Sequence, residues 1–265
     1  MMKRGSLFIL GLILLIILPV GSAFGDERTL KLESRVIESF DAPGDITYED
    51  GTSVYWQVRG SKFSMEGYPR MAYAPETWPI DLFGKNPENR ESLQTFGING
   101  KFLRQGYNTI EVIPGQGEGD DWVEKPIPLP GRIKMFDFWV WGSNYNYSIE
   151  AHFMDYRGIT HRFEMVPAVE GRRYSGSINF SGWRNMYIDI PNYVKQAQSH
   201  KPNYEGLSLT KIVIRTHPEE AVDNFYVYLD NLKVLTDFHE SFYDGFELSA
   251  EEKIAEIWGT EGGTE

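Results

Sequence analysis

The sequence predicts an all-β chain: an antiparallel β-sandwich of the jelly-roll type with a short helix near its C-terminus. Three observations favour this fold. Many short segments rich in β-branched and aromatic residues are separated by Gly, Pro, Asn and Asp. No alternation of strands and helices is visible, which argues against a parallel sheet. Residues 136–153 contain a clear period-two alternation of apolar and polar residues, as expected of half-buried strands.

The N-terminus predicts export from the cytoplasm. Lys3 and Arg4 precede an apolar run from Leu7 to Val20, and small residues follow at 21–23. A basic start, an apolar middle and a small-residue cleavage site are typical of a secretory signal peptide. An uncleaved anchor is the alternative, but the run is shorter than the roughly 20 residues that span a bilayer as a helix. We therefore expect residues 1–23 to be removed, leaving no membrane anchor.

Composition excludes some classes of function. The formal net charge is −12, and an acidic chain is a poor nucleic-acid binder because phosphate neutralisation needs clustered Lys and Arg. The chain has no cysteine, so outside the cytoplasm it must be stable without disulfides. Its length is sufficient for one large domain with a single core.

The predicted strands follow one another with a turn signal between neighbours, and each has the length of an ordinary strand. They are Val36–Phe40, Val54–Phe63, Leu93–Phe102, Tyr107–Ile113, Ile133–Trp141, Tyr147–Phe153, Thr160–Met165, Met186–Ile190, Leu209–Arg215 and Phe225–Val234. This many short strands is best accommodated by a sandwich or jelly roll.

Two segments depart from the strand pattern. Residues 114–131 are rich in Gly, Pro and Asp and predict a long acidic loop. Residues 249–258 predict a helix: Ser249 and Glu252 fit a capping box, and Gly259 can end it. Its apolar residues fall on one helical face.

The expected domain organisation follows from these segments. A β-sandwich domain covers residues 24–238, after the signal peptide. Residues 239–265 hold the C-terminal helix and a disordered acidic tail.

Patterns that predict catalysis or metal binding are missing from the sequence. There is no Cys nucleophile, no Gly-x-Ser-x-Gly, no Gly-rich phosphate loop and no His pair at zinc-ligand spacing. Glu150 and Asp155 are the carboxylates considered for a glycosidase, but their spacing places them on opposite faces of one strand. We therefore expect no catalytic residues and no protein-bound metal.

One calcium hypothesis stays open but is not favoured. Jelly-roll domains often pin their terminal strands with a hard cation bound by carboxylate and carbonyl oxygens. Glu38 or Asp41 near the start of the domain and Asp230 near its end could serve in this way. Ordinary strand-end or turn carboxylates are the preferred interpretation, so no cofactor is expected.

The aromatic stretch 136–153 predicts a hairpin that turns at 142–144. Its core side is Phe136, Phe138, Val140, Ile149, Ala151 and Phe153, by alternation. Trp139 and Trp141 fall on the far face of their strand. Three interpretations remain for the two tryptophans: burial under a loop or the C-terminal helix, contact with a protein partner, or contact with a glycan.

Several aromatic-rich blocks of the sequence appear in order over about residues 36–236. The blocks are Trp56–Phe63, Glu66–Pro69, Arg104–Asn108, Pro128–Arg132, Trp139–Tyr147, Asp155–Gly158, Gly182–Asn185 and Phe225–Asp230. Together they resemble the flagellar filament outer-layer (sheath) protein family, FlaA, of spirochaetes.

The resemblance implies a structural, non-enzymatic protein of the periplasm. Such proteins coat the flagellin core of the periplasmic flagellum and contribute to filament stiffness, curvature and motility. The implied partners are flagellin core subunits and other sheath proteins. The implied fold is a β-sandwich akin to carbohydrate-binding modules and lectins.

Trp139, Trp141, Tyr145 and Asn146 are the candidate partner-binding residues, because exposed Trp and Tyr suit repeated contacts between subunits. The alternative function is a secreted, lectin-like carbohydrate-binding module, and the same residues could recognise glycosylated flagellin. A glycoside-active enzyme is the third and least favoured class.

Overall fold

The computed structural model describes residues 31–168, 178–196, 206–238, 248 and 251–259. The predicted signal peptide lies outside this part of the chain, so its cleavage stays a prediction. The predicted limits of the sandwich domain and the tail fall partly outside it and also stay predictions. Within the described residues, no helix is long and apolar enough to cross a lipid bilayer.

Strands dominate the described residues. The strands are β1 Leu32–Glu38, β2 Val54–Gly60, β3 Arg70–Pro75, β4 Gln94–Lys101, β5 Thr109–Gln116, β6 Val123–Glu124, β7 Ile127–Leu129, β8 Arg132–Ser143, β9 Ser148–Asp155, β10 Thr160–Glu164, β11 Val166–Pro167, β12 Ser181–Asp189, β13 Leu207–Arg215 and β14 Asp223–Asp237. The helices are α1 Ile80–Phe83, a 3₁₀ turn at Gly119–Asp121, and α2 Glu251–Trp258.

Two antiparallel sheets contain all these strands. Sheet 1 has the order β11-β12-β8-β14-β4-β3, and β1 pairs with the second half of β14. Sheet 2 has the order β10-β9-β13-β5-β2, with β6 beside β5 and β7 beside β13. The predicted all-β antiparallel sandwich with a short C-terminal helix is confirmed.

The core lies between the two sheets, and it contains the side chains that the alternation of apolar and polar residues predicts to be buried. Each residue assigned to the core side of the stretch 136–153 is fully buried: Phe136, Phe138, Val140, Ile149, Ala151 and Phe153. Side chains from all the long strands join them in one hydrophobic cluster. A single core of this kind is what a chain without disulfides needs.

The predicted hairpin within 136–153 is wrong. Strand β8 pairs with β12 and β14 in sheet 1, whereas β9 pairs with β10 and β13 in sheet 2. The chain therefore crosses from one sheet to the other between these strands. Alternation identifies the buried face of a strand but not its hydrogen-bonded neighbour, and here two apolar faces meet across the core.

Sheet 1 has an edge strand that the sequence analysis missed. Strand β3, RMAYAP, pairs only with β4 among the described strands, and four of its six residues are exposed. Its polar and small residues carry a weak strand signal. The segment 114–131, predicted as a loop, contains the short strands β6 and β7, and β7 inserts Ile127 and Leu129 into the core.

Helix α2 confirms the predicted C-terminal helix. It covers Glu251–Trp258. Gly259 has a φ of 77°, and its N–H donates to the carbonyl of Ala255 at 3.0 Å, so it ends the helix as expected. Ser249 and the side chain of Glu252 lie outside the description, so the capping box stays a prediction.

Candidate interaction surface

The outer face of sheet 1 carries a group of large aromatic side chains, which we call the aromatic face. It consists of Trp139, Trp141, Trp183, Tyr187, Tyr226 and Tyr228. All six are at least partly accessible, and Tyr226 is 42% exposed. A face of this kind is unlike the polar outer surface expected of a solvated antiparallel sheet.

The strand register places these aromatics side by side. Trp141 pairs with Trp183 on β12 and with Tyr228 on β14, and Tyr228 pairs with Gly97 on β4. Paired residues share one face of a sheet, so the three aromatic side chains form a continuous row across adjacent strands.

Gly97 makes room for the ring of Tyr228. A Cβ atom at position 97 would lie 2.9 Å from a ring carbon of Tyr228 and 3.2 Å from the carbonyl oxygen of Ala72. The Tyr228 ring also meets Trp141 edge-to-face, with 5.6 Å between ring centroids and an interplanar angle of 87°. This geometry fixes both rings in place, because edge-to-face pairs are favourable and the glycine leaves no competing side chain.

A cleft of about 300 Å³ lies on this face between the edge strand β3 and the two tyrosines of β14. Its lining residues are Arg70, Met71, Ala72, Ala74, Gly97, Ile98, Asn99, Tyr226 and Tyr228. Arg70 is the one charged residue among them, and most of the other side chains are apolar. We call it the β3 cleft.

Trp139 lies farther from solvent than its position on the aromatic face suggests. Its indole Nε1 is buried with no hydrogen-bond partner in the structure. Its cross-strand neighbour Asp230 is 2% exposed. Burial raises the pKa of Asp230 to about 8, and the charges of Asp41 and Glu38 add to the rise. Trp139 is therefore partly structural, whereas Trp141 contributes to an open surface.

The structure does not bring the four candidate residues together. Trp139 and Trp141 belong to the aromatic face, but Tyr145 stacks on Tyr147 with ring centroids 5.1 Å apart, against the core. Asn146 lines a separate cleft of about 180 Å³ at one end of the sandwich. The crossing between sheets separates these residues, which a hairpin would have kept adjacent.

This second cleft, which we call the end cleft, is polar. Its lining residues are Tyr107, Asn146, Tyr147, Ser148, Glu164, Arg215, Thr216 and His217. Tyr107 is 71% exposed and packs edge-to-face on His217. One exposed ring beside several hydrogen-bonding groups is an arrangement that can orient a small polar ligand.

The outer face of sheet 2 has the opposite character. It carries an ion-pair network, which we call the charged face: Arg59, Glu111, Lys211, Glu150, His152 and Arg215. Glu111 accepts from Lys211 and lies 3.7 Å from Arg59, while Glu150 pairs with Arg215 at 2.9 Å. Positive and negative charges alternate, so this face is suited to solvent.

The titration of Glu150 and His152 reflects this network. Burial alone would raise the pKa of Glu150, but hydrogen bonds from Arg215 and His152 outweigh it and hold the pKa below its ordinary value. Burial lowers the pKa of His152, against the pull of Glu150. Asp155, the other carboxylate considered for catalysis, accepts from Arg157 and His161 in a separate network.

The carboxylates considered for calcium are coupled through their charges, since Asp41 and Glu38 both add to the raised pKa of Asp230. Glu38 is 3% exposed and accepts hydrogen bonds from the Trp56 indole at 2.7 Å and from the Phe40 N–H at 2.8 Å. Asp41 accepts from the N–H of Gln94. Within the described residues, no group of three or more His, Cys, Asp or Glu side chains is arranged to hold a metal ion. The expectation that the protein binds no cofactor stays a prediction.

The sequence prediction did not include three residues of the aromatic face: Tyr226, Tyr228 and Trp183. A signal for the two tyrosines was present in β14, where they alternate with the apolar residues Phe225, Val227 and Leu229. The alternation assigns the tyrosines to the face opposite the core. Their placement beside Trp141 depends on pairing between strands distant in sequence, which alternation does not reveal.

The fold and its faces define a β-sandwich with one aromatic and one charged outer surface. The family described as "Flagellar filament outer layer protein Flaa" matches residues 84–243, more than half of the chain. The chain belongs to this family of flagellar filament outer layer proteins. A flagellar filament outer layer-like protein of Brachyspira hyodysenteriae is 26% identical over 168 residues, covering 63% of this chain and 68% of that protein.

Several of the solved structures to which the chain is similar are carbohydrate-binding modules. TmCBM61, solved with β-1,4-galactotriose, has a TM-score of 0.33 and 15% identity, over 69% of this chain and 88% of that one. The family 11 module of the Clostridium thermocellum cellulase Lic26A-Cel5E has a TM-score of 0.36 and 8% identity, over 79% and 98%. These similarities concern the β-sandwich fold alone.

Proposed function

We propose that this protein is a structural coat protein of the periplasmic flagellar filament, attached through its aromatic face. In this proposal it is exported by its N-terminal signal peptide, coats the flagellin core beside other sheath proteins, and contributes to filament stiffness, curvature and motility. It acts without catalysis. Membership of the outer layer family supports the association with the filament.

The observation that carries the proposal is the contrast between the two outer faces. Trp141, Trp183 and Tyr228 form an accessible row on sheet 1, while sheet 2 presents paired charges. Aromatic residues are enriched where proteins bind one another, whereas paired charges on a surface add little binding energy. The aromatic face therefore turns towards the filament and the charged face towards the periplasm.

A coat of this kind does not need a closed oligomer. Many weak contacts repeated along a lattice are sufficient, and head-to-tail contacts between different surfaces generate helical arrays. The acidic character of the chain, with a net charge of −12, limits non-specific adhesion while the coat assembles.

Co-sedimentation with purified filaments tests the proposal. We expect the wild-type chain to pellet with filaments and the double variant Trp141→Ala/Trp183→Ala to bind roughly tenfold more weakly or worse, because aromatic anchors dominate such contacts. Tyr193→Ala is the matched control, since Tyr193 is 65% exposed and approaches His161 of sheet 2. Equal binding by the double variant, or a wild-type chain that stays in the supernatant, would contradict the proposal.

Glycan recognition is a second candidate, supported by the end cleft. There the exposed ring of Tyr107 adjoins Asn146 and Arg215, a mixture of one stacking surface and several hydrogen-bonding groups. In this case the glycan of a glycosylated flagellin would bind at the end of the sandwich, not on the aromatic face.

The test compares glycosylated with deglycosylated filaments. If a glycan occupies the end cleft, Tyr107→Ala weakens binding to glycosylated filaments and has no effect on deglycosylated ones. Equal losses on both kinds of filament would rule out the glycan and leave a protein contact at Tyr107.

A further inference from the structure

Helix α2 presents an apolar surface that nothing covers in the described residues. Ile254 is 40% exposed, Ile257 is 50% exposed and Trp258 is 81% exposed. The three residues fall on one side of the helix at helical spacing. A short amphipathic helix gains most of its stability by packing this side against another surface. The exposed side of the helix is therefore suited to bind an apolar groove.

The β3 cleft is an apolar groove that is open in the same structure. Gly97 and the small side chain of Ala72 share one face of the sheet with the rings of Tyr226 and Tyr228, and all four residues line the cleft. With about 300 Å³, the cleft can take one large side chain such as an indole together with part of a neighbouring aliphatic residue.

The charges of the two surfaces are complementary. Residues 251–258 contain three glutamates and one lysine, a formal charge of −2. Arg70 is the one charged residue lining the cleft, and its guanidinium lies over the Tyr68 ring at 4.5 Å, at the rim. Most of the chain is acidic and would repel an acidic helix, so the positive charge of Arg70 makes the cleft a favourable place for α2 to bind.

The structure keeps the helix and the cleft of one molecule apart. No residue of α2 is among those that line the cleft, and Trp258 is 81% exposed. Both surfaces of each molecule are therefore open to a neighbour, which favours a second copy as the occupant of the cleft.

We propose that α2 of one molecule docks into the β3 cleft of the next, with the Trp258 side chain as its anchor. This inference deepens the proposed function and rests on it for its biological role, because such a contact would link coat subunits to one another. The contact joins two different surfaces, so each molecule offers one helix and one cleft and the interaction propagates head to tail.

Sedimentation velocity of the purified chain, without filaments, tests the inference. The wild type should form larger species as its concentration rises. Trp258→Ala should weaken self-association roughly tenfold or more, because it truncates the anchor. Arg70→Glu should weaken it as well, since it places a carboxylate beside an acidic helix. Tyr193→Ala should leave it unchanged, and circular dichroism verifies that each variant is folded.

A mixing experiment gives the sharpest result. The Trp258→Ala chain keeps an intact cleft and the Tyr228→Ala chain keeps an intact helix. At a concentration where neither variant alone self-associates, their mixture should form a one-to-one complex. Failure of the mixture to associate overturns the inference, as does a wild type that stays monomeric at every concentration. A compact wild type that Trp258→Ala expands at all concentrations would show docking within one chain and overturn the second copy. Filament binding by the same proteins is measured separately, so either proposal can fail alone.

Discussion

Phe136 and Phe153 meet edge-to-face across the core, with ring centroids 5.2 Å apart and an interplanar angle of 83°. The two residues belong to consecutive strands, β8 and β9, that lie in opposite sheets. Their contact therefore joins the sheets directly, and both side chains are fully buried.

Phe153→Ala is expected to destabilise the fold by about 3–5 kcal/mol, because it removes buried apolar surface and leaves a cavity. Urea unfolding followed by circular dichroism measures this change. Trp141→Ala serves as the comparison, since Trp141 is partly accessible, and should cost clearly less. Similar losses for the two variants would mean that the aromatic face is as closely packed as the core.

Gly97→Ala is expected to weaken filament binding more than it weakens the fold. The added Cβ would lie 2.9 Å from the Tyr228 ring, which must tilt away from its position over the sheet. This movement disturbs both the row with Trp141 and the β3 cleft. Co-sedimentation and urea unfolding are measured on the same preparation. Gly51→Ala is the control, because no atom lies within 4 Å of its added Cβ, although its φ of 79° also imposes strain.

Stability is expected to fall as the pH rises through neutrality. Burial raises the folded pKa of Asp230 to about 8 and that of Glu38 to about 7, above their ordinary values. A raised carboxyl pKa gives stability that is fully present below the unfolded pKa and is lost as the pH rises through the folded one. The loss should therefore develop up to about pH 8.

Asp230→Asn isolates this effect. Asparagine keeps an acceptor for the Asn231 N–H that bonds to Asp230, but it cannot ionise. The variant should be more stable than the wild type at about pH 9 and should show a flatter decline between about pH 5 and about pH 9. Unfolding midpoints in urea across this range measure it. A variant whose decline is as steep as that of the wild type would mean that Asp230 does not titrate there.

Lys211→Ala, on the charged face, is expected to change stability by less than about 1 kcal/mol. Lys211 pairs with Glu111 at a partly exposed position, where solvent screens the interaction. Urea unfolding at low and high salt measures the difference, which should shrink at high salt. A large effect that persists at high salt would indicate a packing role for the lysine side chain.

Much of the fold could be predicted from local patterns. The alternation in Ile149, Ala151 and Phe153 identified a buried face correctly, and Gly259 marked the end of a helix. These features are determined by interactions between residues that are close in sequence. The same alternation could not show that β9 pairs with β13, because pairing depends on partners far along the chain.

The candidate surface was only partly predictable, for the same reason. Trp141 was placed correctly on the face away from the core, yet the partners that make it a surface, Trp183 and Tyr228, come from strands distant in sequence. Tyr145 and Asn146 follow Trp141 closely in sequence, but the crossing between the sheets carries them to another part of the molecule.

The first and last strands of the sandwich also determine how it carries mechanical load. Strands β1 and β14 are antiparallel, Leu32 pairs with Asp237, and the Phe238 N–H donates to the Lys31 carbonyl at 2.9 Å. The two ends of the domain therefore leave from one corner. Tension between the two ends would break the β1–β14 hydrogen bonds one after another. Shear along the faces would instead load many hydrogen bonds at once. If the protein coats a filament as proposed, contacts through its faces would therefore resist load better than contacts through its two ends.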